Sequence, residues 1–349
     1  LLAPAANNIL QSISVQQGEL EASQAGIGAA AVDISAGATL RFLADTGVTD
    51  AYAITITGTG AIAKSGAGTV DLTQSSFTTA STSIDVAAGT LIVSETALGN
   101  GRAPVVTLAA GTTFEYQATN DAAFGAGNFT GPGNVTFGRT VGATPTITLS
   151  PDLNTGTVGY TGLTTVRAGV TLVLGAGFTG ISGLLTEAGS TLDLSAIGSL
   201  TITQNTAATF AGGLVGTAAL TLTGPGKLTV TSNGGDLSPY AGALTVDGGL
   251  LGLDLANTKS ITLANGGTLS LRGAGSNYTG GISGSGNVVL ESGVSIDLTA
   301  PGAAAATTLG SPAVARLTLA AGSQLTADFT AASTVLGTTP IQLDGCLLY

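Results

Sequence analysis

Short alternations of aliphatic and polar residues run along most of the chain and recur in one phrase. The phrase is a glycine-containing turn followed by a strand of the form Thr-Leu-x-Leu, as in "VRAGVTLVL" at Val166 and "TEAGSTLDL" at Thr186. A period of two sends Leu172 and Leu174 to one side of a strand and the residues between them to the other. The pattern predicts many short β-strands with one apolar face each.

The alternation assigns specific side chains to the core and to the outside. The outside is expected to carry Asp193 and Asp297, which stand between aliphatic residues. The predicted core includes pairs of leucines on either side of one outward residue, namely Leu172, Leu174, Leu192, Leu194, Leu269 and Leu271.

A second phrase places a Gly-x-Gly turn before a strand, as in "KSGAGTVDL" at Lys64 and "TGPGKLTV" at Thr223. Key glycines such as Gly37, Gly89, Gly111 and Gly169 lie about 20 residues apart, or two to three times that distance, which is the spacing of solenoid repeats. One such turn cannot bury its own apolar face, so neighbouring turns must stack. The sequence therefore predicts an all-β fold, a parallel β-helix (β-solenoid) of about 16 turns.

Repeats of this kind fill residues 31–335, and we expect the ends of the chain to differ from them. Residues 1–30 contain the strand-like "ILQSISVQ", and residues 336–349 contain the apolar "LDGCLLY". Each end is either a cap on its own terminal turn or a segment that joins a second copy by strand addition. The lone cysteine, Cys346, is either a spare thiol or a cross-link between two chains.

The amino-acid composition argues against several classes of protein. Of 349 residues, 44% are hydrophobic and 8% are charged, and 54 are glycine, which indicates an ordered chain with scarce helix. The net charge of −11 comes with only nine basic residues, so nucleic acid is not expected as a partner. No apolar run reaches the roughly 18 residues of a membrane-spanning helix, so no transmembrane segment is expected.

The stretch "KSGAGTVDLTQSSFTTASTSIDVAAGTLIVSETALGNG", from Lys64 to Gly101, resembles the passenger-associated repeat of bacterial autotransporters. In that repeat, Lys-x-Gly-x-Gly-Thr leads through a variable loop to Ala-Gly-Thr-Leu and then to Ala-Leu-Gly. Similar phrasing recurs from about residue 34 to residue 329. The resemblance implies a right-handed parallel β-helix, secretion in a Gram-negative bacterium, and a stalk or adhesin at the outer cell surface.

Candidate chemistry is sparse. The chain contains no histidine, which excludes a Ser-His-Asp or Cys-His arrangement and any histidine-based zinc site. The Gly-x-Gly turns lack the strand-to-helix context of a nucleotide-binding loop. We therefore assign no catalytic, cofactor-binding or metal-binding residue, expect no cofactor, and predict that the protein is not an enzyme.

The charged and aromatic residues leave alternatives open. Carboxylates between aliphatic residues either keep the protein soluble or, in register on neighbouring turns, bind a weakly held divalent cation. These are Asp33, Asp71, Asp85, Asp193, Asp254 and Asp297. The nine basic residues are expected as lone surface charges: Arg41, Lys64, Arg102, Arg139, Arg167, Lys227, Lys259, Arg272 and Arg316. The predicted core contains Phe42, Phe114, Phe137 and Phe178. The tyrosines are interpreted as exposed contacts, a role that their spacing does not itself indicate: Tyr52, Tyr116, Tyr160, Tyr240 and Tyr278.

The first hypothesis for function is a non-catalytic secreted structural protein of the bacterial cell surface that forms a stalk or fibre subunit. Its partners would be further copies of itself, joined end to end, or a ligand on the cell surface or host. The alternative is an autotransporter-type adhesin that binds a glycan or protein. A carbohydrate-active β-helix enzyme is the third interpretation, which acids clustered with Lys or Arg in one groove would favour.

Overall fold

The structure is a computed structural model, and it describes residues 12–22, 27, 31–78, 83–98, 104–151, 159–231, 237, 239–273, 278, 280–297, 316–326, 341–344 and 347–348. The described chain is all-β with almost no helix, and its strands pair in parallel as the turns of a β-solenoid. It divides into two compact units, Leu1–Gly177 (unit 1) and Phe178–Tyr349 (unit 2).

Unit 1 contains 19 described strands, one short α-helix and one 3-10 turn. The helix is α1 (Glu95–Leu98) and the 3-10 turn is Ala126–Asn128. In chain order the strands are β1 (Ser12–Val15), β2 (Glu19–Ala22), β3 (Ala31–Ile34), β4 (Thr39–Leu43), β5 (Thr49–Ala51), β6 (Thr55–Gly58), β7 (Ala61–Ser65), β8 (Thr69–Asp71), β9 (Ser76–Phe77), β10 (Ser83–Val86), β11 (Thr90–Ser94), β12 (Val105–Leu108), β13 (Thr113–Ala118), β14 (Ala122–Phe124), β15 (Phe129–Thr130), β16 (Asn134–Arg139), β17 (Thr146–Leu149), β18 (Thr164–Val166) and β19 (Thr171–Leu174).

Four parallel ladders run through unit 1. Their strand orders are β1-β3-β6-β9, β2-β4-β7-β10-β12-β15, β5-β8-β11-β13-β16-β18 and β14-β17-β19. The register aligns residues about 22 positions apart, so that like side chains form columns. The column of the second ladder consists of the buried residues Leu40, Ile62, Ile84, Val106 and Phe129.

Unit 2 also contains 19 described strands. In chain order they are β20 (Gly180–Ile181), β21 (Leu184–Thr186), β22 (Thr191–Asp193), β23 (Ser199–Thr203), β24 (Ala208–Phe210), β25 (Gly213–Val215), β26 (Ala219–Thr223), β27 (Lys227–Val230), β28 (Leu244–Asp247), β29 (Leu250–Asp254), β30 (Ile261–Ala264), β31 (Thr268–Arg272), β32 (Ile282–Gly284), β33 (Asn287–Leu290), β34 (Ser295–Asp297), β35 (Arg316–Leu319), β36 (Gln324–Thr326), β37 (Ile341–Leu343) and β38 (Leu347–Leu348).

Unit 2 is also built from parallel ladders whose like side chains form columns. The ladders run β20-β23-β26-β28-β30-β32, β21-β24-β27-β29-β31-β33-β35-β37, β22-β25 and β34-β36-β38. Their core is a set of aliphatic columns, of which the longest is Leu228, Leu251, Leu269, Val288 and Leu317, all buried. Both units therefore place a continuous apolar interior behind outward polar columns.

The predicted alternation is confirmed. The six leucines assigned to the core are each 0% exposed, and Asp193 is half-buried on the outer side between two of them. The side chain of Asp297 lies outside the described side chains. The number of turns comes out slightly below the predicted 16 or so, and the right-handed sense of the coil stays a prediction.

Both predicted end segments contribute strands to the parallel ladders of their own units. Strands β1 and β2 pair with β3 and β4, and β37 and β38 pair with β35 and β36. The rest of residues 1–30 and 336–349, including Cys346, lies largely outside the described residues. Whether a second copy also pairs at either end stays a prediction.

The turns contain two kinds of glycine, and the physical reason that glycine is needed differs between them. Gly37, in the turn of the first phrase, has φ +81°, which favours glycine, but a Cβ there would meet no atom within 4 Å. Gly68, the second glycine of the Gly-x-Gly phrase, has no positive φ. A Cβ there would lie 2.1 Å from the carbonyl oxygen of Asp45 on the preceding turn. Gly37 is thus required because of its left-handed backbone conformation, and Gly68 is required because the stacked turns lie too close together to admit a Cβ.

Substitution of these two glycines separates the two requirements. We expect Gly37→Ala to lower the free energy of unfolding by about 1 to 2 kcal/mol, the cost of a left-handed residue with a Cβ. Gly68→Ala should cost about 3 kcal/mol or more, because two paired backbones must move apart. Urea denaturation followed by circular dichroism measures both values. Equal costs, or a larger cost at Gly37, would show that stacking distance does not select the second glycine.

Candidate functional site

Lys64 is buried at a corner of unit 1. Its side chain lies in an inward column between Phe42 and Val86 and is 0% exposed. Its ammonium donates hydrogen bonds to the carbonyl oxygens of Ser65 at 2.7 Å, Gly66 at 2.6 Å and Ala88 at 3.0 Å. Burial lowers the pKa of Lys64 below its usual value. The expectation of a lone surface charge was wrong here, because three carbonyls from two successive turns use all three donors.

Two buried tyrosines of unit 2, Tyr240 and Tyr278, form similar contacts, and we call them the corner tyrosines. Tyr240 donates a hydrogen bond to the carbonyl of Ala218, and Tyr278 donates one to the carbonyl of Lys259. The Lys259 ammonium donates to the carbonyl of Tyr240 and lies 5.1 Å from the centre of its ring. Burial raises the pKa of both phenols. These contacts tie each turn to the one before it.

The tyrosine contacts have a sequence signal that the repeat analysis missed. Three of the buried tyrosines begin a Tyr-x-Gly triplet: Tyr160 and Tyr278 in "YTG", and Tyr240 in "YAG". At the second and third triplets, a Cβ on the glycine would meet the phenol of its own tyrosine at 2.7 Å or less. Tyr52 and Tyr116 are also buried, so the exposed-contact interpretation of the five tyrosines was wrong. The four phenylalanines predicted for the core are buried, as expected.

Five side chains from four turns of unit 2 meet on its outer surface, and we call them the charged cluster: Lys227, Asp254, Ser270, Arg272 and Glu291. The Lys227 ammonium contacts the Ser270 hydroxyl at 3.3 Å and forms an ion pair with Glu291. The Ser270 hydroxyl also donates to Glu291. Arg272 binds Asp254 at 2.8 Å. The cluster spans residues up to 64 positions apart in sequence.

A missing side chain makes the charged cluster possible. Gly252 stands in the outward column between Thr229 and Ser270, on the turn that Lys227 must cross. A Cβ at Gly252 would lie 2.6 Å from the Lys227 side chain. The glycine therefore opens the path by which the ammonium reaches Glu291.

The electrostatics of the charged cluster favour paired, ionised groups. Partial burial pushes the pKa of Glu291 upward, but hydrogen bonds from Lys227 and Ser270 outweigh this effect and hold the pKa below its usual range. A general acid at neutral pH needs a raised carboxyl pKa. Glu291 is thus suited to binding its two partners rather than to donating a proton.

Two further ion pairs join turns within the described part of unit 1. Arg41 binds Glu19 through two hydrogen bonds of 2.6 and 2.7 Å, which lower the pKa of Glu19. Arg167 binds Glu115 at 3.1 Å and passes beside Gly138. For these arginines, as for Lys227 and Arg272, the expectation of lone surface charges was wrong. Arg102 lies outside the described residues.

The aspartates between aliphatic residues serve local structure. Asp71 and Asp193 each end a strand and accept a hydrogen bond at 2.8 Å from the backbone N–H two residues later, on Thr73 and Ser195. Asp33 accepts a hydrogen bond from the Thr57 hydroxyl at 2.7 Å. Within the described residues, no three Asp, Glu or Cys side chains gather closely enough to hold a metal ion. Strand-end capping is a role that neither sequence interpretation included.

An open groove of about 470 Å³ lies on the outside of unit 1, where four successive turns leave the ladder of β8, β11, β13 and β16. We call it the outer groove. Nine described residues line it; none of these nine carries an ionisable group, and eight of them are Ser, Thr or Gln. The ninth is Val141, whose side chain is fully exposed. No local sequence pattern indicates this groove, because its residues are spread over positions 73–141 and meet only when the turns stack.

Comparison of the chain with protein-family models, with curated proteins and with solved structures finds no match. The resemblance to the autotransporter repeat therefore rests on the quoted residues alone and stays a prediction. The helices in the described part of the chain are all too short or too polar to span a bilayer.

The charged cluster predicts a pH dependence of stability. Because the pKa of Glu291 is lowered on folding, its contribution is present above the ordinary value of 4.5 and is lost as the pH falls through the folded value. We expect Glu291→Gln to lower the free energy of unfolding by about 0.5 to 1 kcal/mol at neutral pH, the range of a partly exposed pair. Once the pH has fallen below the folded pKa of Glu291, the variant and the unsubstituted chain should converge.

Urea denaturation at several pH values measures this difference. The matched control is Glu291→Gln in a Lys227→Met background, where the substitution should have little effect at any pH. A pH-independent difference, or the same cost in the Lys227→Met background, would show that the ion pair does not stabilise unit 2.

Proposed function

We propose that this chain is a non-catalytic, secreted structural protein of the bacterial cell surface that forms a rigid stalk or fibre subunit. The observation that carries the proposal is the use of its reactive side chains. The Lys64 ammonium, the charged cluster and the corner tyrosines are all engaged in contacts between successive turns. Groups used in this way stabilise a stack of turns, as a structural protein requires.

The resemblance to the passenger-associated repeat supports the location. It carries the expectation of secretion in a Gram-negative bacterium and of display at the outer surface. Lys64 adds a physical reason for the most specific part of the motif, because it binds carbonyls of the following Ser-Gly turn and of the next turn of the coil. End-to-end assembly of copies is part of this proposal.

Two other functions have an observation in their favour. The outer groove favours an adhesin that binds a glycan or protein. The charged cluster has the residue types of a carbohydrate-active enzyme, with two acids beside Lys and Arg. The lowered pKa of Glu291 and its pairing with Lys227 and Ser270 weigh against that role, since such enzymes need a protonated carboxyl.

Two measurements on the full chain test the proposal. Antibodies against the chain should label intact cells of the source bacterium as strongly as permeabilised cells. Incubation of the purified chain with a panel of polysaccharides should release no new reducing ends. Labelling that requires permeabilisation would refute the surface role. Turnover that Glu291→Gln abolishes would establish the enzyme in place of the structural protein.

A further inference from the structure

The outer groove of unit 1 is a rigid surface with unused hydrogen-bonding groups. The Thr73 hydroxyl, the Gln74 amide, the Thr96 hydroxyl and the Gln117 carbonyl oxygen have no hydrogen-bond partner among the described residues, and all four line the groove. They come from three successive turns, which stack about 4.8 Å apart. Donors and acceptors are thus presented at regular intervals along the groove.

One wall of the groove is held in place by the preceding turn. The Ser94 hydroxyl, at the start of α1, donates to the carbonyl of Thr73 at 2.8 Å and accepts from the N–H of Ala97 at 3.0 Å. Buried Glu95 accepts hydrogen bonds from the N–H groups of Thr119 and Asn120 at 3.0 and 2.7 Å. The helix is therefore fixed to the turns on both sides, and ligand binding would require little ordering of this wall.

The outer groove is lined by uncharged residues, which favours an uncharged ligand. The chain has a net charge of −11, yet none of the nine described residues that line the groove is ionisable. Carboxylates bonded to or next to the lining residues already have partners: Asp71 accepts from the N–H of Thr73, Glu95 from backbone N–H groups, and Glu115 from Arg167 and Gln117. A charged ligand would find no counter-charge among the lining residues, whereas a neutral ligand rich in hydroxyl groups matches the hydroxyl and amide lining.

The volume of the outer groove and its apolar lining residue, Val141, both agree with a neutral ligand rich in hydroxyl groups. A volume of about 470 Å³ lies in the range of small-ligand sites, which is about 300 to 1,000 Å³. Val141 offers a fully exposed aliphatic surface at one end of the groove, suited to the C–H face of a sugar ring. We propose that the outer groove is a binding site for a neutral oligosaccharide. As an account of what the protein does at the cell surface, this inference rests on the proposed surface function.

Titration of the full chain with neutral oligosaccharides tests the inference. Isothermal calorimetry and saturation-transfer NMR would be run with cello-, malto- and manno-oligosaccharides, and with oligogalacturonate as the charged comparison. At least one neutral oligosaccharide should bind saturably at millimolar concentration or below, and oligogalacturonate should bind more weakly. Absence of neutral binding, or preference for the charged sugar or for a peptide, would overturn the proposal.

Matched variants locate the site. Gln74→Glu and Thr96→Val keep the shape of each side chain, and both residues are exposed, so the fold should persist as judged by circular dichroism. The double variant should weaken binding at least about tenfold, which is about 1.4 kcal/mol. Thr107→Val, an exposed threonine of β12 outside the groove, should leave binding within about twofold. Binding that the groove variants leave unchanged would place the site elsewhere.

The proposed surface role and the proposed saccharide site are tested by independent experiments, so that one can be refuted without the other. Antibody labelling of intact cells depends on where the chain is displayed and does not involve the groove. Saccharide binding by the purified chain depends on the groove and does not involve location. A displayed chain that binds no saccharide would leave the structural role in place and remove only this inference.

Discussion

Parallel hydrogen bonding between successive turns is the interaction on which the rest of this structure depends. Each strand fills the backbone donors and acceptors of the next strand in its ladder, at a spacing of about 4.8 Å. The ladder fixes a register in which Leu40 faces Ile62 and Ile62 faces Ile84. Once that register exists, any side chain has neighbours about 20 residues away. The apolar columns, the glycine requirements and the polar contacts all follow from it.

The outward columns explain why isolated charges in sequence become paired in space. A long cationic side chain can cross a turn when that turn presents glycine, as Gly252 does for Lys227 and Gly138 for Arg167. Each pair on such a partly exposed surface contributes on the order of 1 kcal/mol at most. The buried aliphatic columns therefore supply most of the stability, and the pairs add preference for one register over a slipped one.

The corners of the turns have a second kind of polar contact. At a corner the backbone leaves the ladder, so its carbonyls need other donors. Lys64 supplies three of them, and the corner tyrosines supply one each. Where corner side chains are not used in this way, as along the outer groove, hydroxyl and amide groups stay available for a ligand. Structural and binding surfaces thus arise from the same positions, and the fold alone does not decide between functions.

The fold class and the inside-outside assignment could be predicted from the order of the amino acids alone. Period-two alternation and glycine turns are local signals, so Leu172 and Leu269 could be placed in the core without knowing what they contact. The positions of the charged groups and of the tyrosines, in contrast, depend on contacts that exist only in the folded chain. Lys64 was expected at the surface and is buried, and Lys227 meets Glu291 across 64 residues. Such contacts depend on the register and length of every intervening turn, which no local pattern records.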